Sequence, residues 1–364
     1  MSKILLLANH YNTLRIFRRE LIKALAASGN EVIISIPPAD TENIKLLESY
    51  GCEVVITKME RRGRNPFADL LLIFRYLRLL TAIKPDKVIT YTIKPNIYGS
   101  LACKLQKKTH YANVTGLGSA FQAGGFIKKL ITLLYKTSLD KANKVFFENT
   151  GNRDEFVKSN ILPIEKTVVM AGAGVNLEDF PFCDYPSADS SIKFLFVGRI
   201  MKEKGVDELF WAIEEIKKND ANVEFEFIGW YEDNYEETVA KLEQQRLIRY
   251  YGFQSDVKQF IKSAHCIILP SYHEGMSNTL LEAAAMGRPL ITSNIHGCRE
   301  AVIEGESGFL CKVKDSSDLY LKIKQFIDLP YKNKSDMGRA SRKHMEDVFD
   351  KRRVVEKTLK EIGK

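Results

Sequence analysis

A short polar segment in the C-terminal half, SYHEGMSNTLLE over Ser271–Glu282, has the composition of an anion-binding turn. A strand is predicted before it over Cys266–Leu269, and a helix is predicted over residues 277–286. The first amides of a helix lack internal partners and the helix dipole is positive at this end, so a diphosphate is stabilised there. The residues expected to open this helix are Gly275, Ser277, Asn278 and Thr279.

Two carboxylates accompany this turn, Glu274 in the loop and Glu282 on the helix. An ionised carboxylate accepts several hydrogen bonds, so a helix carboxylate beside the anion site can bind two neighbouring ribose hydroxyls. A loop carboxylate can bind sugar hydroxyls in the same way. The alternative is that Glu274 is an exposed loop residue and Glu282 a solvated helix residue, and the two acids taken alone favour that alternative.

Two cations follow another predicted strand of the same half, in the segment Gly198–Gly205 (GRIMKEKG). The guanidinium of Arg199 can bind a diphosphate through two parallel hydrogen bonds, and Lys204 adds a point charge. The alternative is two surface cations among the 54 of the chain. Because both the cations and the polar turn follow strands of one βαβ pattern, coincidence is disfavoured and a diphosphate site is predicted.

Short apolar runs alternate with amphipathic stretches along the whole chain, which is typical of parallel sheets wrapped by helices. In the first half, strands are predicted over residues 4–7, 32–36, 54–56, 87–91, 111–115 and 145–148, and helices over 14–27, 41–50, 66–83, 96–106 and 127–141. In the second half, strands are predicted over 193–197, 223–228, 249–251, 266–269 and 289–291, and helices over 205–218, 234–246, 256–263, 277–286 and 315–328. The last stretch, from about 331 to 362, is predicted to be helical and is highly charged.

This α/β pattern and the length of 364 residues, which exceeds one typical core, predict two domains. Each is expected to be a doubly wound, Rossmann-like domain, and the two are expected to face each other across a cleft at the carboxyl ends of their strands. We expect an N-terminal domain over residues 1–175, a linker over 176–191, a C-terminal domain over 192–345, and a C-terminal helix over 346–364 that returns to the N-terminal domain.

The composition is that of an ordinary globular protein, with 45% apolar and 27% charged residues. The six cysteines are scattered without a C-x-x-C pair, which favours a reducing compartment over a disulfide framework or a zinc site. No signal peptide and no apolar run of about 20 residues is present, so a soluble or peripheral protein is expected. The net charge of +8 comes without a basic run interleaved with aromatics, so no nucleic-acid partner is expected.

The pairing of V-G-R-x-x-x-x-K-G with E-G-x-x-x-x-x-x-E and a following G-R-P resembles glycosyltransferase family 4, whose fold is called GT-B. The resemblance implies that Arg199, Lys204 and Glu274 are the catalytic residues, with the two cations and Gly198 at the donor diphosphate. It places Glu282 at the ribose of the donor and Phe253 by its base. It places Glu274 at the donor sugar, and the backbone amides near that sugar would be those of Gly275, Met276 and Ser277. It also implies retention of anomeric configuration without a metal or cofactor, and the chain accordingly has no D-x-D pair.

The N-terminal half resembles a narrower bacterial branch that builds O-antigen, capsule or protein N-glycan precursors on undecaprenyl diphosphate, several members moving N-acetylgalactosamine. The similar segments are Asn65–Phe67 (NPF), Thr92–Gly99 (TIKPNIYG), Asn113–Phe121 (NVTGLGSAF) and Phe147–Asn149 (FEN). By this similarity the acceptor side of the cleft would be lined by Lys94, Asn113, Thr115, Gly116 and Gly118.

Many family members have a His-Gly pair where this chain has Thr115-Gly116, so the residue that serves the transferred sugar on this side is in doubt. His110 begins the predicted strand and is expected on its far side. His10, in the first strand–helix loop, is the N-terminal candidate for the acceptor side, and a solvated loop histidine is the alternative. The first strand is not followed by G-x-G-x-x-G, which argues against a nicotinamide enzyme.

Two basic, apolar stretches could contact an anionic membrane surface, residues 67–80 (FADLLLIFRYLRLL) and residues 126–135 (FIKKLITLLY). The alternative is a helix packed on the sheet with its cations extended to water, which is favoured for 67–80, while both interpretations stay open for 126–135. A lipid-linked acceptor would place the enzyme in the cytoplasm, peripherally on the inner face of the cytoplasmic membrane.

The predicted function is transfer of a sugar, α-linked N-acetylgalactosamine, from a UDP-sugar to an undecaprenyl-diphosphate-linked saccharide. Two alternatives remain at this point. One is a nucleotide-sugar epimerase of the same fold, which would turn over the donor alone. The other is a non-catalytic protein that binds nucleotide sugars without turnover.

Overall fold

The computed structural model describes residues 1–60, 65–117, 125–188, 190–219 and 222–363. The chain divides into two compact units. One unit comprises Met1–Ala173 together with Arg352–Lys364, and the other comprises Gly174–Lys351. Residues 176–191, predicted as a linker, belong to the second unit.

The first unit is built on a parallel sheet in the order β3-β2-β1-β4-β5-β6-β7. Its strands are β1 (Lys3–Leu7), β2 (Glu31–Ile36), β3 (Glu53–Ile56), β4 (Lys87–Tyr91), β5 (Thr109–Val114), β6 (Lys144–Phe147) and β7 (Thr167–Val169). The central strands are buried on both faces because helices cover both sides, which is why they appear in the sequence as continuous apolar runs.

The helices of this unit are α1 (Tyr11–Phe17), α2 (Arg19–Ala27), α3 (Thr41–Glu48), α4 (Pro66–Ile83), α5 (Ser100–Leu105), α6 (Gly125–Leu139) and α7 (Thr150–Lys158). A π-helical turn over Pro95–Gly99 precedes α5.

The prediction of a single helix over residues 14–27 was wrong, since Arg18 separates α1 from α2. The guanidinium of Arg18 is 2.9 Å from the carboxylate of Glu148 and lies over the Tyr91 ring, 5.1 Å from its centroid. Glu148 directly follows β6 and Tyr91 is the last residue of β4, so the break lies where Arg18 contacts residues distant in the chain.

The second unit has a parallel sheet in the order β10-β9-β8-β11-β12-β13. Its strands are β8 (Ile192–Val197), β9 (Val223–Ile228), β10 (Arg249–Tyr250), β11 (Cys266–Leu269), β12 (Leu290–Ser293) and β13 (Gly308–Cys311). Since β8 lies between β9 and β11, the strand order reverses there. The loops that leave β8 and β11 therefore flank a topological switch point, where open α/β sheets bind ligands.

The helices that follow these strands are α8 (Val206–Lys217), α9 (Glu236–Gln244), α10 (Lys258–Ser263), α11 (Asn278–Ala285), α12 (Ser316–Ile327), α13 (Tyr331–His344) and α14 (Lys351–Gly363). Helix α14 belongs, apart from its first residue, to the first unit, where Ile362 joins the core that contains Ile4 and Ile89. The fold class predicted from the sequence, two doubly wound α/β domains, is confirmed. The sequence missed β7, β13 and α7.

None of the helices in the described part of the chain is long and apolar enough to span a membrane.

All six cysteines are free, and four of them, Cys103, Cys266, Cys298 and Cys311, are buried. Burial raises the pKa of the Cys103 thiol to about 12, so this buried thiol is protonated near neutrality.

Candidate active site

The loops after β8 and β11 touch each other at the switch point of the second sheet. Gly205 has φ +72°, and a Cβ added there would lie 2.1 Å from the carbonyl oxygen of Pro270. The amide of Tyr272 also donates to the carbonyl of Glu203 at 2.8 Å. Only glycine permits both the left-handed backbone and this approach, so the G-R-x-x-x-x-K-G segment ends in glycine for a packing reason.

Lys204 and Glu274 are brought together by this contact. The ammonium of Lys204 donates to Oε1 of Glu274, and both side chains are largely buried. The hydroxyl of Ser271 donates to the same oxygen at 3.0 Å. Among the described residues none donates to the second oxygen, Oε2, so Glu274 is fixed through one oxygen and can accept from a ligand through the other.

The N-terminus of α11 lies next to this pair. Ser277 occupies the N-cap position in an extended conformation, but its side chain makes no capping hydrogen bond. Its amide donates to the carbonyl of Gly297 at 2.8 Å. The expectation of a free amide at Ser277 is therefore wrong, and the amides of Asn278 and Thr279 begin the row without acceptors among the described residues.

The loop after β12 supports the Glu274 turn from behind. Gly297 has φ +88°, and a Cβ added there would lie 2.6 Å from the carbonyl oxygen of Gly275. Gly275 is partly buried, and the side chain of Met276 is buried beneath the turn. The turn is thus held by backbone contacts from a segment about twenty residues further along the chain.

Glu282 lies in the second turn of α11, on the same helix that the anion-binding turn opens. Burial raises its pKa to about 7, although Lys351 and Lys258 act in the opposite direction. A carboxyl group with this pKa changes its charge near neutral pH. Its capacity to accept hydrogen bonds therefore depends on pH around neutrality.

Arg199 lies two residues after β8 and is linked to the loop that leaves β9. Its Nη1 lies 3.5 Å from Oε1 of Glu232. The two loops meet closely, because a Cβ added to Gly229 would lie 1.8 Å from the carbonyl oxygen of Gly198. Gly229 thus allows the two backbones to approach, and Glu232 holds the guanidinium at the edge where the diphosphate is expected.

Two exposed aromatic rings lie further out along the same edge of the second sheet, after β9 and β10. Trp230 and Phe253 are 48% and 64% exposed, and their centroids are 5.6 Å apart with an interplanar angle of 64°. The indole N–H of Trp230 points to Glu232 at 3.4 Å. Sequence reasoning named Phe253 but missed Trp230 and Glu232. The signal available in the sequence was Trp230 itself, a large aromatic residue directly after the strand end at Ile228-Gly229, where a loop more commonly has a polar residue.

Residues predicted for the acceptor side lie at the carboxyl ends of β1, β4 and β5, which are adjacent in the first sheet. Lys94 is ion-paired with Asp69 at 2.7 Å, and the hydroxyl of Tyr98 donates to the other oxygen of Asp69 at 2.8 Å. The amide group of Asn113 is buried and donates to the carbonyl of Thr90 at 3.3 Å. Lys94 and Asn113 therefore also have local structural partners.

The remaining acceptor-side candidates have different surroundings. His10 is the N-cap of α1, where its Nδ1 accepts from the amide of Asn12 at 3.1 Å. Thr115 and Gly116 are partly buried directly after β5, and Gly118 lies outside the described residues. His110 is buried within β5, and burial lowers its pKa, so it is neutral at pH 7.

Within the described ranges, no cluster of three or more His, Cys, Asp or Glu side chains is arranged to hold a metal ion. The positive charges at the edge of the second sheet are those of Arg199, which is paired with Glu232, and Lys204, which is paired with Glu274, next to the start of α11. Together they offer an anion two cations and free helix amides within one sheet edge.

Comparison with protein families assigns both halves of the chain. Residues 183–344 match the family described as "Glycosyl transferases group 1", and residues 3–149 match "Glycosyl transferase 4-like".

A curated relative from Campylobacter jejuni, N,N'-diacetylbacillosaminyl-diphospho-undecaprenol alpha-1,3-N-acetylgalactosaminyltransferase, is 30% identical over 86% of this chain and 86% of its own length. The capsular polysaccharide biosynthesis glycosyltransferase CapM of Staphylococcus aureus is 25% identical over 86% and 85% of the two chains.

Solved structures show the same fold over the whole chain. The Anabaena protein Alr3699/HepE, solved with UDP and glucose, superposes with a TM-score of 0.79 at 17% identity and covers 100% of both chains. Sucrose-phosphate synthase from Thermosynechococcus elongatus superposes with a TM-score of 0.78 at 18% identity and covers 98% of this chain and 97% of its own.

Proposed function

The chain belongs to the group 1 glycosyl transferases with a GT-B fold, and we propose that it is a retaining enzyme acting on a lipid-linked saccharide. The proposed reaction moves N-acetylgalactosamine, in α-linkage, from a UDP-sugar to an undecaprenyl-diphosphate-linked acceptor. The acceptor and sugar are inferred from the name of the Campylobacter relative, which is 30% identical over 86% of the chain. The UDP donor is inferred by analogy with the Anabaena protein of the same fold.

The observation that carries the reaction chemistry is the Lys204–Glu274 pair beside the start of α11. We infer that the donor diphosphate lies between Arg199, Lys204 and the amides of Asn278 and Thr279. Glu274 then offers its second oxygen to hydroxyls of the donor sugar. These groups are fixed before the donor arrives, and preorganised charge is the largest single contribution to stabilising a leaving group.

In the proposed step, the acceptor hydroxyl attacks the anomeric carbon on the face from which the diphosphate leaves. The bond from the anomeric carbon to the phosphate oxygen breaks, and the bond to the acceptor oxygen forms on the same side. The proton of the acceptor hydroxyl passes to the departing phosphate oxygen, which is the nearest base on that face. Arg199, Lys204 and the helix dipole stabilise the negative charge of the UDP that departs.

We propose that this step requires no divalent cation or other cofactor, because two side-chain cations and a helix N-terminus supply the positive charge. On the acceptor side, we propose that Lys94, Asn113, Thr115, Gly116 and His10 approach the saccharide or its diphosphate. A lipid-linked acceptor also implies that the enzyme works peripherally at the cytoplasmic face of the membrane. Unchanged turnover after treatment with EDTA would support the metal-free mechanism.

The proposal is tested by incubating the protein with a panel of UDP-sugars, with and without short polyprenyl-diphosphate-linked saccharides, and analysing products by mass spectrometry. We expect one UDP-sugar to be consumed only when acceptor is present, with one sugar added to the acceptor. Conversion of the donor without acceptor would replace the proposal with an epimerase. UDP binding without consumption of any donor would favour a binding role.

A further inference from the structure

We propose that α4, α5 and α6 of the N-terminal unit form the surface by which this protein docks on an anionic lipid bilayer. The proposal deepens the function given above, since it rests on a lipid-linked acceptor. It identifies which face of the molecule meets the membrane.

Helix α4 has two opposite apolar faces, of which only one is packed. Its buried positions, four residues apart, are Leu72, Tyr76 and Leu80, which lie in the core beside β1 and β4. On the opposite face, Phe67 is 84% exposed, and three further residues are between 48% and 55% exposed, namely Leu70, Leu71 and Phe74. Spacings of three and four residues place these side chains in one stripe. A stripe of large apolar side chains in water marks an interaction surface.

The neighbouring helices extend this stripe. Helix α5 lies beside both others, because Gln106 at its end donates to the carbonyl of Leu77 at 2.8 Å and Lys104 donates to the carbonyl of Thr137 at 3.0 Å. The exposed apolar residues on these two helices are Leu105, Ile127, Leu130 and Leu133. Three adjacent helices of one unit therefore all carry exposed apolar side chains.

The charge on these helices has one sign. Their cations are Arg75, Arg78, Lys104, Lys128, Lys129 and Lys136, and their single acid is Asp69. Of these cations, Lys104 and Lys128 are ion-paired with Asp140 and Glu155, which lie outside the three helices. Asp69 is already neutralised by Lys94. Arg78, Lys129 and Lys136 are exposed beside the apolar stripe. Exposed apolar side chains with cations around them match the interface of an anionic bilayer.

This charge also argues against a second copy of the chain as the partner. In a two-fold dimer the same patch meets itself, so the cations would face cations. For residues 67–80 the sequence favoured packing on the sheet over contact with a membrane. In helix α4 one face packs on the sheet, and the opposite face is available for the bilayer. Attachment would be interfacial, since no described helix is able to span the membrane.

The test measures partition of the full-length protein onto phosphatidylglycerol-containing vesicles and onto phosphatidylcholine vesicles by co-sedimentation. One variant removes apolar contacts, Leu71→Ser with Phe74→Ser, and another reverses charge, Arg78→Glu with Lys129→Glu. The matched controls are Leu321→Ser, an equally exposed leucine on α12, and Lys343→Glu, an exposed lysine on α13. Transfer to a short, water-soluble acceptor is measured for every variant.

We expect the wild type to bind the anionic vesicles, and both double variants to lose at least about tenfold in partition. Each cation near the surface contributes on the order of fivefold, and each Leu or Phe side chain buried in the interface contributes on the order of tenfold. The controls should bind like the wild type, and all variants should keep transfer to the soluble acceptor. Equal binding by wild type and variants, or a dimer formed through these residues without vesicle binding, would overturn the proposed surface. Vesicle binding through these residues without transfer to any lipid-linked saccharide would leave the surface standing and refute the proposed function.

Discussion

The ammonium of Lys204 forms an ion pair with the carboxylate of Glu274, although 70 residues separate them in the chain. The pair exists because Gly205 allows the loop after β8 to approach the carbonyl of Pro270 at the end of β11. One oxygen of Glu274 thereby holds the lysine beside the expected diphosphate. A donor that enters this site meets a lysine and a carboxylate whose positions are already set.

Replacing Arg199 by alanine is expected to lower kcat/KM by on the order of a hundredfold, because a charge that stabilises the leaving diphosphate is lost. UDP release measured at subsaturating donor gives this value directly. Arg199→Lys should recover part of the loss, since it keeps the charge but not the bidentate geometry. Lys218→Ala, which removes an exposed cation of the same unit, should have no effect. A normal rate for Arg199→Ala would remove this residue from the catalytic group.

Replacing Glu282 by glutamine tests the meaning of its raised pKa. The folded-state pKa of about 7 lies above the ordinary value of 4.5, so the folded protein holds a proton that the unfolded chain has released between these values. Stability of the donor-free wild type should therefore fall as pH rises through this window. The variant lacks this loss and should be more stable than wild type at pH 8, by on the order of 3 kcal/mol, and not at pH 4. Urea unfolding at both pH values measures the difference.

The same carboxyl group should control donor binding. Glu282→Ala is expected mainly to weaken UDP affinity, with a smaller effect on kcat, because the ribose contact is made in ground and transition states alike. Wild-type affinity should increase from pH 6 to pH 8 as the carboxyl group and the terminal phosphate of UDP both ionise, and the glutamine variant should keep only the part of the increase that comes from UDP. Calorimetric titration with UDP measures both. Unchanged affinity in the alanine variant would exclude the ribose role.

Trp230→Ala is expected to weaken donor affinity by roughly 5- to 100-fold, if its exposed ring beside Phe253 stacks on the base, as a base–aromatic stack contributes about 1–3 kcal/mol. Fluorescence or calorimetric titration with UDP provides the measurement. Trp211→Ala is the matched control, because that tryptophan is similarly exposed on α8 and contacts Tyr320 instead. Equal UDP affinities for the two variants would mean that the base binds elsewhere.

Gly205→Ala is expected to destabilise the protein and to abolish most transfer, since its Cβ would lie 2.1 Å from the carbonyl oxygen of Pro270 at φ +72°. Gly305→Ala separates the two causes, because Gly305 has φ +78° with no atom within 4 Å of an added Cβ. The control should lose only the strain of a left-handed alanine, about 1 kcal/mol, and keep its activity. Similar losses in both variants would show that the loop contact is unimportant.

Sequence patterns predicted the buried strands with little error, because a strand covered on both faces needs a continuous apolar run. Strands β4, β9 and β11 were predicted with the bounds that the structure has. Strand β13 was missed because its four residues begin with glycine, and α7 was missed because its sequence is mostly polar. Local pattern alone does not carry the information that places these two elements.

The candidate site was predictable to the extent that its residues follow strands. The positions of Arg199, Lys204 and Glu274 at strand ends were visible in the sequence, but their mutual contacts were not. The amide of Ser277 is bound by Gly297, and Arg18 breaks a helix to reach Glu148. Both contacts depend on residues that are distant in the chain, so the periodicity of a local segment does not predict them.

The most direct test of the account is the anomeric configuration of the transferred sugar, read from the H1–H2 coupling in the proton NMR spectrum of the purified product. The donor should be UDP-N-acetylgalactosamine and the acceptor a short polyprenyl-diphosphate-linked saccharide, with EDTA present. We predict an α-linked product, because attack on the face that the diphosphate leaves retains the configuration of the donor. A β-linked product would contradict the proposed mechanism at Arg199, Lys204 and Glu274.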